Sequence, residues 1–97
     1  MAREFQLRIY DVAEGKMDEF LSIFPAVVAA RRNVGFDVVG AWTIPEENKF
    51  VWIISAEGPI DSLAKAYYAS PLRALIDPEP ASLLDKIDTR LMQVVPI

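Results

Sequence analysis

The 97-residue chain predicts an α+β fold: a four-stranded antiparallel sheet with its helices on one face, in the ferredoxin-like order β-α-β-β-α-β. Three observations carry this. Residues 4–12 alternate, with Phe5, Leu7 and Ile9 interleaved with Gln6, Arg8 and Tyr10, a period of two that specifies a strand. Over residues 16–33, Met17, Phe20, Leu21, Phe24, Val27, Val28 and Arg31 recur at three- and four-residue steps, the signature of a helix face. The stretch from Gly35 to Gly58 then reads as a hairpin that is apolar on both faces, since Val38–Ile44 and Phe50–Ile54 do not alternate.

The elements follow in order. Ala13-Glu14-Gly15 breaks the first strand. Pro25 lies inside the first helix without an amide hydrogen to give, which predicts a kink or restart near Phe24. Gly35 suits the helix stop, because glycine takes a left-handed conformation at little cost. In the hairpin, Pro45-Glu46-Glu47-Asn48-Lys49 forms the turn; a symmetric five-residue loop sets Ile44 opposite Phe50 and Trp42 opposite Trp52. Gly58-Pro59 opens a second helix with Asp61 in its electropositive first turn and Ile60, Leu63, Ala64 and Tyr67 toward the core. Ser70-Pro71 starts a further helical turn, Asp77-Pro78-Glu79-Pro80 is a rigid connector, a short turn follows at 81–84, and residues 87–95 form the last strand. Right-handed crossovers give the spatial strand order 4-1-3-2, with strand one inside the sheet.

Composition limits the chemistry. The chain is one domain over residues 1–97, with no room for a second core. It is 53% hydrophobic, with a mean hydropathy of +0.21, yet no run approaches the ~20 apolar residues of a membrane span. One layer of helices covers one face of a sheet in a chain this short. The two-faced hairpin therefore points to a second subunit on the other face, with Trp42 and Trp52 as core or dimer aromatics rather than a ligand pocket. The net charge of −4 without a basic stripe argues against nucleic acid and anionic membrane partners, and the N-terminal residues show no signal-peptide core, so a cytoplasmic protein is expected. No cysteine and no histidine means no disulfide, thiolate nucleophile, Ser-His-Asp triad, His-based zinc site or His-ligated haem. The acidic pairs Asp18-Glu19, Glu46-Glu47 and Asp77/Glu79 lack convergent metal-ligand spacing, so no metal and no cofactor is expected.

Two polar groups remain as candidate ligand sites. If Phe5, Leu7 and Ile9 face the helices, then Gln6, Arg8 and Tyr10 project from the opposite, partner-covered face, where Arg90 of the last strand sits beside Arg8. Forked guanidinium donors and a tyrosine hydroxyl suit an anion or an oxygen-rich ligand; an interface ion-pair network with Glu4, Glu57 or Asp88 is the structural alternative. Tyr67-Tyr68 followed by Ser70-Pro71-Leu72-Arg73 is the second group, in which Tyr67 and Arg73 could orient an enolate or phenolate. Its structural alternative has Tyr67 in the core and Arg73 capping a carbonyl. Arg31-Arg32, at a helix C-terminus, is read as complementing the helix dipole.

The series Leu7-Arg8-Ile9-Tyr10, Gly15, Glu19-Phe20-Leu21, Gly35-Phe36, Val39-Gly40-Ala41-Trp42, the proline-containing second helix, and Thr89-Arg90-Leu91-Met92 resembles the NIPSNAP family over nearly the whole chain. The resemblance implies a dimeric α+β barrel, in which two four-stranded sheets face each other with helices outside and ligand clefts lie between sheet and helices. It does not imply a reaction. The chain departs from the family pattern after Trp52, where Ile53-Ile54-Ser55 stand in place of a basic and an aromatic residue. The expectation is a homodimeric domain of unassigned activity that binds a small organic ligand. A cofactor-independent monooxygenase or isomerase using Tyr10, Tyr67, Arg73 or Asp61 is one alternative, and a non-catalytic protein-interaction module is the other.

Overall fold

The computed structural model describes residues 3–97. Strand β1 (Glu4–Val12) leads into helix α1 (Met17–Asn33), then strands β2 (Asp37–Ile44) and β3 (Lys49–Ala56), helices α2 (Ile60–Tyr68) and α3 (Pro71–Ala74), and strand β4 (Leu84–Met92). All three strand pairings are antiparallel and the sheet order is β2-β3-β1-β4, the expected order read from the other edge. β4 starts at Leu84 rather than residue 87, because the 3-10 turn Pro80–Leu83 delivers the chain directly beside β1: the Ala13 amide donates to the Leu83 carbonyl at 2.9 Å.

Helix α1 runs through Pro25 as one helix, without the expected restart. Phe20 and Phe24, ahead of the proline, pack on the strand aromatics: Phe24 lies edge-on to Phe50 at 4.6 Å and to Trp52 at 5.0 Å between centroids. Beyond it Val27 and Ala30 are buried on the same side, so both halves are held to one surface and the helix is not free to turn away. Gly35 ends the helix with φ +111°, a backbone that side-chain-bearing residues rarely adopt. Ser70 accepts from the Leu72 amide at 3.2 Å, capping α3 as its sequence implies.

The hairpin is shifted by one residue from the symmetric arrangement. Asn48 takes the left-handed conformation (φ 52°) after the 3-10 turn Pro45–Glu47, so the loop closes in four residues and Lys49 already belongs to β3. Trp42 consequently pairs with Val51, and Trp52 with Ala41. With a side-chain period of two, that slip puts the tryptophans on opposite faces. Trp52 is 0% exposed beneath the helices, whereas Trp42 is 52% exposed on the other face. A bulge between Val38 and Gly40 shifts the pairing by one further residue, so that Val38 lies opposite Ile54 and Asp37 opposite Ser55.

The faces of β1 are also the reverse of the expected ones. Arg8, Tyr10 and Val12 are buried beneath the helices with Phe50, Trp52 and Ile54 of β3. Phe5, Leu7 and Ile9 share the uncovered face with Val51, Ile53 and Trp42. Alternation reveals that a strand has two faces but not which one the helices cover, and here the face carrying the more apolar half of β1 is the bare one. The helix layer instead meets a core of large aromatics, with Tyr10 stacked on Phe50 at 6.1 Å and edge-on to Phe20 at 5.8 Å.

Candidate functional site

The inversion of β1 carries its polar row into the cleft between sheet and helices. There Arg8 and Tyr10 of β1, Arg31 of α1, Tyr67 of α2, Arg73 of α3 and Glu79 of the α3–β4 connector line one cavity of about 80 Å³. Phe20, Val27, Leu84 and Ile87 supply its apolar walls, and Tyr68, 60% exposed, stands at its mouth. The two candidate groups read from the sequence are therefore halves of one site, apart from Arg90. Arg90 pairs across from Leu7 on the uncovered face and binds Asp88 at 3.0 Å, while Arg8 lies opposite Thr89. One step along a strand reverses the face, and this separates Arg90 from the cavity.

Arg8 is only 7% exposed. Its Nε donates to the Tyr10 hydroxyl and its Nη1 to the Gln6 amide oxygen, both at 2.8 Å. These neutral acceptors, on the same face of the same strand, fix the guanidinium plane and leave its remaining N–H groups unspent. The Tyr10 oxygen accepts from Arg8, so its own proton is free to be donated elsewhere.

Arg31, which the sequence assigns to the helix dipole, also lines the cavity. It falls four residues after Val27 on the apolar stripe of α1, and a charged residue on that stripe was the available signal. It is 2% exposed, and its carbonyl ends the helix by accepting from the Phe36 amide. The guanidinium carbon lies 3.8 Å from the Tyr67 ring centroid and 5.1 Å from that of Phe36. These rings favour a cation through their quadrupoles but accept no conventional hydrogen bond in its plane. Burial lowers the Arg31 pKa from its ordinary value and the neighbouring charge of Arg8 lowers it further. Burial likewise raises that of the Tyr67 hydroxyl, against the opposing pull of Arg31 and Arg73.

Arg73 is paired through its two terminal nitrogens, both of which donate to the Glu79 carboxylate. This bond holds the Glu79 carboxyl below the usual carboxylate range and raises Arg73. Among the described residues no carboxylate is within ion-pair distance of Arg8 or Arg31. Among the described residues the orphaned buried side-chain atoms are Arg31 Nε, Trp52 Nε1 and Arg73 Nε, and all three are donors. They belong to one neighbourhood, since Arg31 lies 5.6 Å from the Trp52 ring and Arg73 lines the same cavity. The site is thus rich in donors and poor in acceptors. Asp61 does not line the cavity, and the described residues contain no cluster suited to a metal ion.

No family model and no curated protein sequence matches the chain. Solved structures do match. A NIPSNAP family protein from Agrobacterium tumefaciens superposes with a TM-score of 0.83 at 14% identity, over 96% of this chain and 93% of that one. An uncharacterised NIPSNAP domain protein from Burkholderia xenovorans gives 0.78 at 19% identity, over 97% and 94%. A structure described as an antibiotic biosynthesis monooxygenase gives 0.69 at 15% identity, over 96% and 99%. The chain accordingly has the ferredoxin-like α+β fold of these proteins. Its structural neighbours include NIPSNAP proteins and a structure described as a monooxygenase.

Proposed function

We propose that this chain is a NIPSNAP-type domain that works as a homodimer and binds a small organic ligand in the cleft between sheet and helices. The observation that carries the ligand reading is the convergence of Arg8, Tyr10 and Arg31 on one cavity with donors unspent. A protein gains nothing in stability from burying a guanidinium without an acceptor, so the arrangement makes sense as a site prepared for one. The test is a thermal-shift screen of small polar organic molecules against the wild type and Val27→Phe, whose larger side chain fills the cavity. Hits that stabilise the wild type and lose their effect in a folded Val27→Phe variant support the reading. A screen in which every hit stabilises both proteins equally contradicts it.

The dimer rests on the uncovered sheet face. Phe5, Leu7, Ile9, Val51, Ile53 and Trp42 form a contiguous apolar surface there, on the side away from the helices. A second copy offers the same surface and buries both, as an isologous two-fold contact does. Static light scattering at micromolar concentration is expected to give twice the 10.9 kDa chain mass, and the mass of one chain contradicts the proposal.

An enzymatic reading has one specific support. The Tyr10 hydroxyl, fixed by Arg8, can exchange a proton with a bound enolate or phenolate, as an isomerase or cofactor-independent monooxygenase requires. One structural neighbour is described as a monooxygenase. Turnover of a bound ligand that disappears in Tyr10→Phe while binding persists favours this reading over simple binding.

A further inference from the structure

Resting on the ligand reading, we infer that the ligand enters the cleft by an oxyanion, a carboxylate or phosphoryl group held between Arg8 and Arg31, with its apolar remainder leaving past Tyr68 and Ile87. Charge is the first reason. The cavity lining carries three guanidiniums and one carboxylate, and that carboxylate, Glu79, is already engaged by Arg73. Arg8 and Arg31 are left as two cations without an anion, with their guanidinium carbons 5.9 and 5.6 Å from the same Trp52 ring centroid, and the charge of Arg8 disfavours that of Arg31. A neutral ligand would leave that repulsion in place, whereas an anion removes it.

Hydrogen bonding is the second reason. The unspent groups in the neighbourhood donate: the remaining Arg8 N–H groups, Arg31 Nε and the Tyr10 hydroxyl proton. The oxygens of a carboxylate or phosphoryl group only accept when ionised, and several such donors converging on them match that valence. An alcohol or an amine would bring donors of its own to a site already in surplus.

Size and shape give the third. An apolar cavity of roughly 150 Å³ takes a benzene ring, and this one measures about 80 Å³. It admits an oxyanion and little else without movement of its walls. The rest of the ligand has to project through the mouth, where Tyr68 and Ile87 are both lining residues and exposed, at 60% and 46%. The ligand class is therefore an amphipathic organic acid or phosphate ester of low charge, rather than a sugar, a nucleotide base or a polycyclic molecule buried whole.

Isothermal titration calorimetry at low ionic strength tests this with octanoate, octyl phosphate and octan-1-ol, on the wild type, Arg31→Met, Arg31→Lys and Arg8→Gln. At least one of the two anions is expected to bind tenfold or more tightly than octan-1-ol, and which of them does so tells carboxylate from phosphoryl recognition. Its affinity is expected to fall at least tenfold in Arg31→Met and Arg8→Gln, and less in Arg31→Lys, with circular dichroism showing each variant folded. Octan-1-ol binding as tightly as both anions overturns the inference while leaving the cleft a ligand site for neutral molecules. Anion affinity unchanged in the folded Arg31 variants overturns it as well. Absence of binding by all three probes overturns it too, and the Val27→Phe screen then decides separately whether the cleft takes any ligand.

Discussion

Replacing Arg31 by methionine separates a structural role from a binding role, because the two predict opposite signs. Arg31 is 2% exposed and its Nε has no partner. An unsatisfied buried donor costs about 3 kcal/mol at the upper end of the neutral range, and more when the group is charged. Against this, its stacking on Tyr67 at 3.8 Å offsets about 2 kcal/mol for a desolvated cation–π contact. Methionine keeps the unbranched stem and its packing while deleting the charge. The difference is a gain of about 1 kcal/mol for Arg31→Met in the absence of ligand, or a rise in Tm of roughly 4–8 °C for a domain of this size. Thermal unfolding followed by circular dichroism, at one fixed protein concentration because a dimer makes Tm concentration-dependent, measures it. The reasoning is refuted by a loss of about 3–5 kcal/mol, the cost of breaking a satisfied buried ion pair.

Other outcomes follow from the same geometry. Trp42→Ala removes the exposed indole from the bare sheet face and is expected to weaken self-association by about 2 kcal/mol, roughly 30-fold in Kd, by sedimentation equilibrium. Gly40→Ala places a new carbon 2.7 Å from the Trp42 ring. Because that ring is half-exposed it can swing aside, so the substitution is expected to raise the dimer Kd more than it alters unfolding of the monomer. The Glu79 carboxyl has its folded pKa held below the usual range by Arg73, so the pair's contribution is present above the ordinary carboxylate pKa and is lost as pH falls through the depressed folded value. The Glu79 carboxylate is half-exposed, although the Arg73 side chain is 12% exposed, so solvent screens the pair and the effect on stability is small; Glu79→Gln is expected to flatten the acid limb of the stability–pH curve slightly. Burial raises the Tyr67 pKa, so its neutral hydroxyl stabilises the fold fully below pH ~10, and that contribution is lost as pH rises through the folded value. In an ultraviolet titration, Tyr67→Phe is expected to remove a tyrosine transition that lies above the ordinary tyrosine range.

Most of the fold was legible because its signals are local. The alternation of residues 4–12, the helical stripe from Met17 to Arg31, and the Ser70-Pro71 and Gly35 punctuation each fix an element without reference to distant parts of the chain. The order β2-β3-β1-β4 then follows from handedness. What failed was non-local. Whether Arg8 or Leu7 faces the helices depends on which set of β1 side chains fits against Phe20, Phe24, Phe50 and Trp52, a packing problem that periodicity does not pose. The hairpin register depended on one left-handed residue, Asn48, and a four-residue closure, and that single step sent Trp42 to the bare face.

The site was legible in pieces. Arg8, Tyr10, Tyr67 and Arg73 were picked out by residue type, and the structure brings them together in one cavity by turning β1 over. Arg90 was assigned from the sequence to the Arg8 row, yet the β1–β4 register puts it on the other face. Arg31 was hidden by a plausible electrostatic role at its helix end. Its place in the last turn fits that role, but its position on the apolar stripe, a turn after Val27, also buries the charge, and a buried charge marks the site.

The most direct measurement of the central claim is a crystal structure of the homodimer grown with octanoate, at a resolution that shows ordered water. Electron density for an oxyanion between the Arg8 and Arg31 guanidiniums, within hydrogen-bond distance of the Tyr10 hydroxyl, is the predicted result. An empty cleft with the Arg31 guanidinium turned onto a protein carboxylate or carbonyl would contradict it.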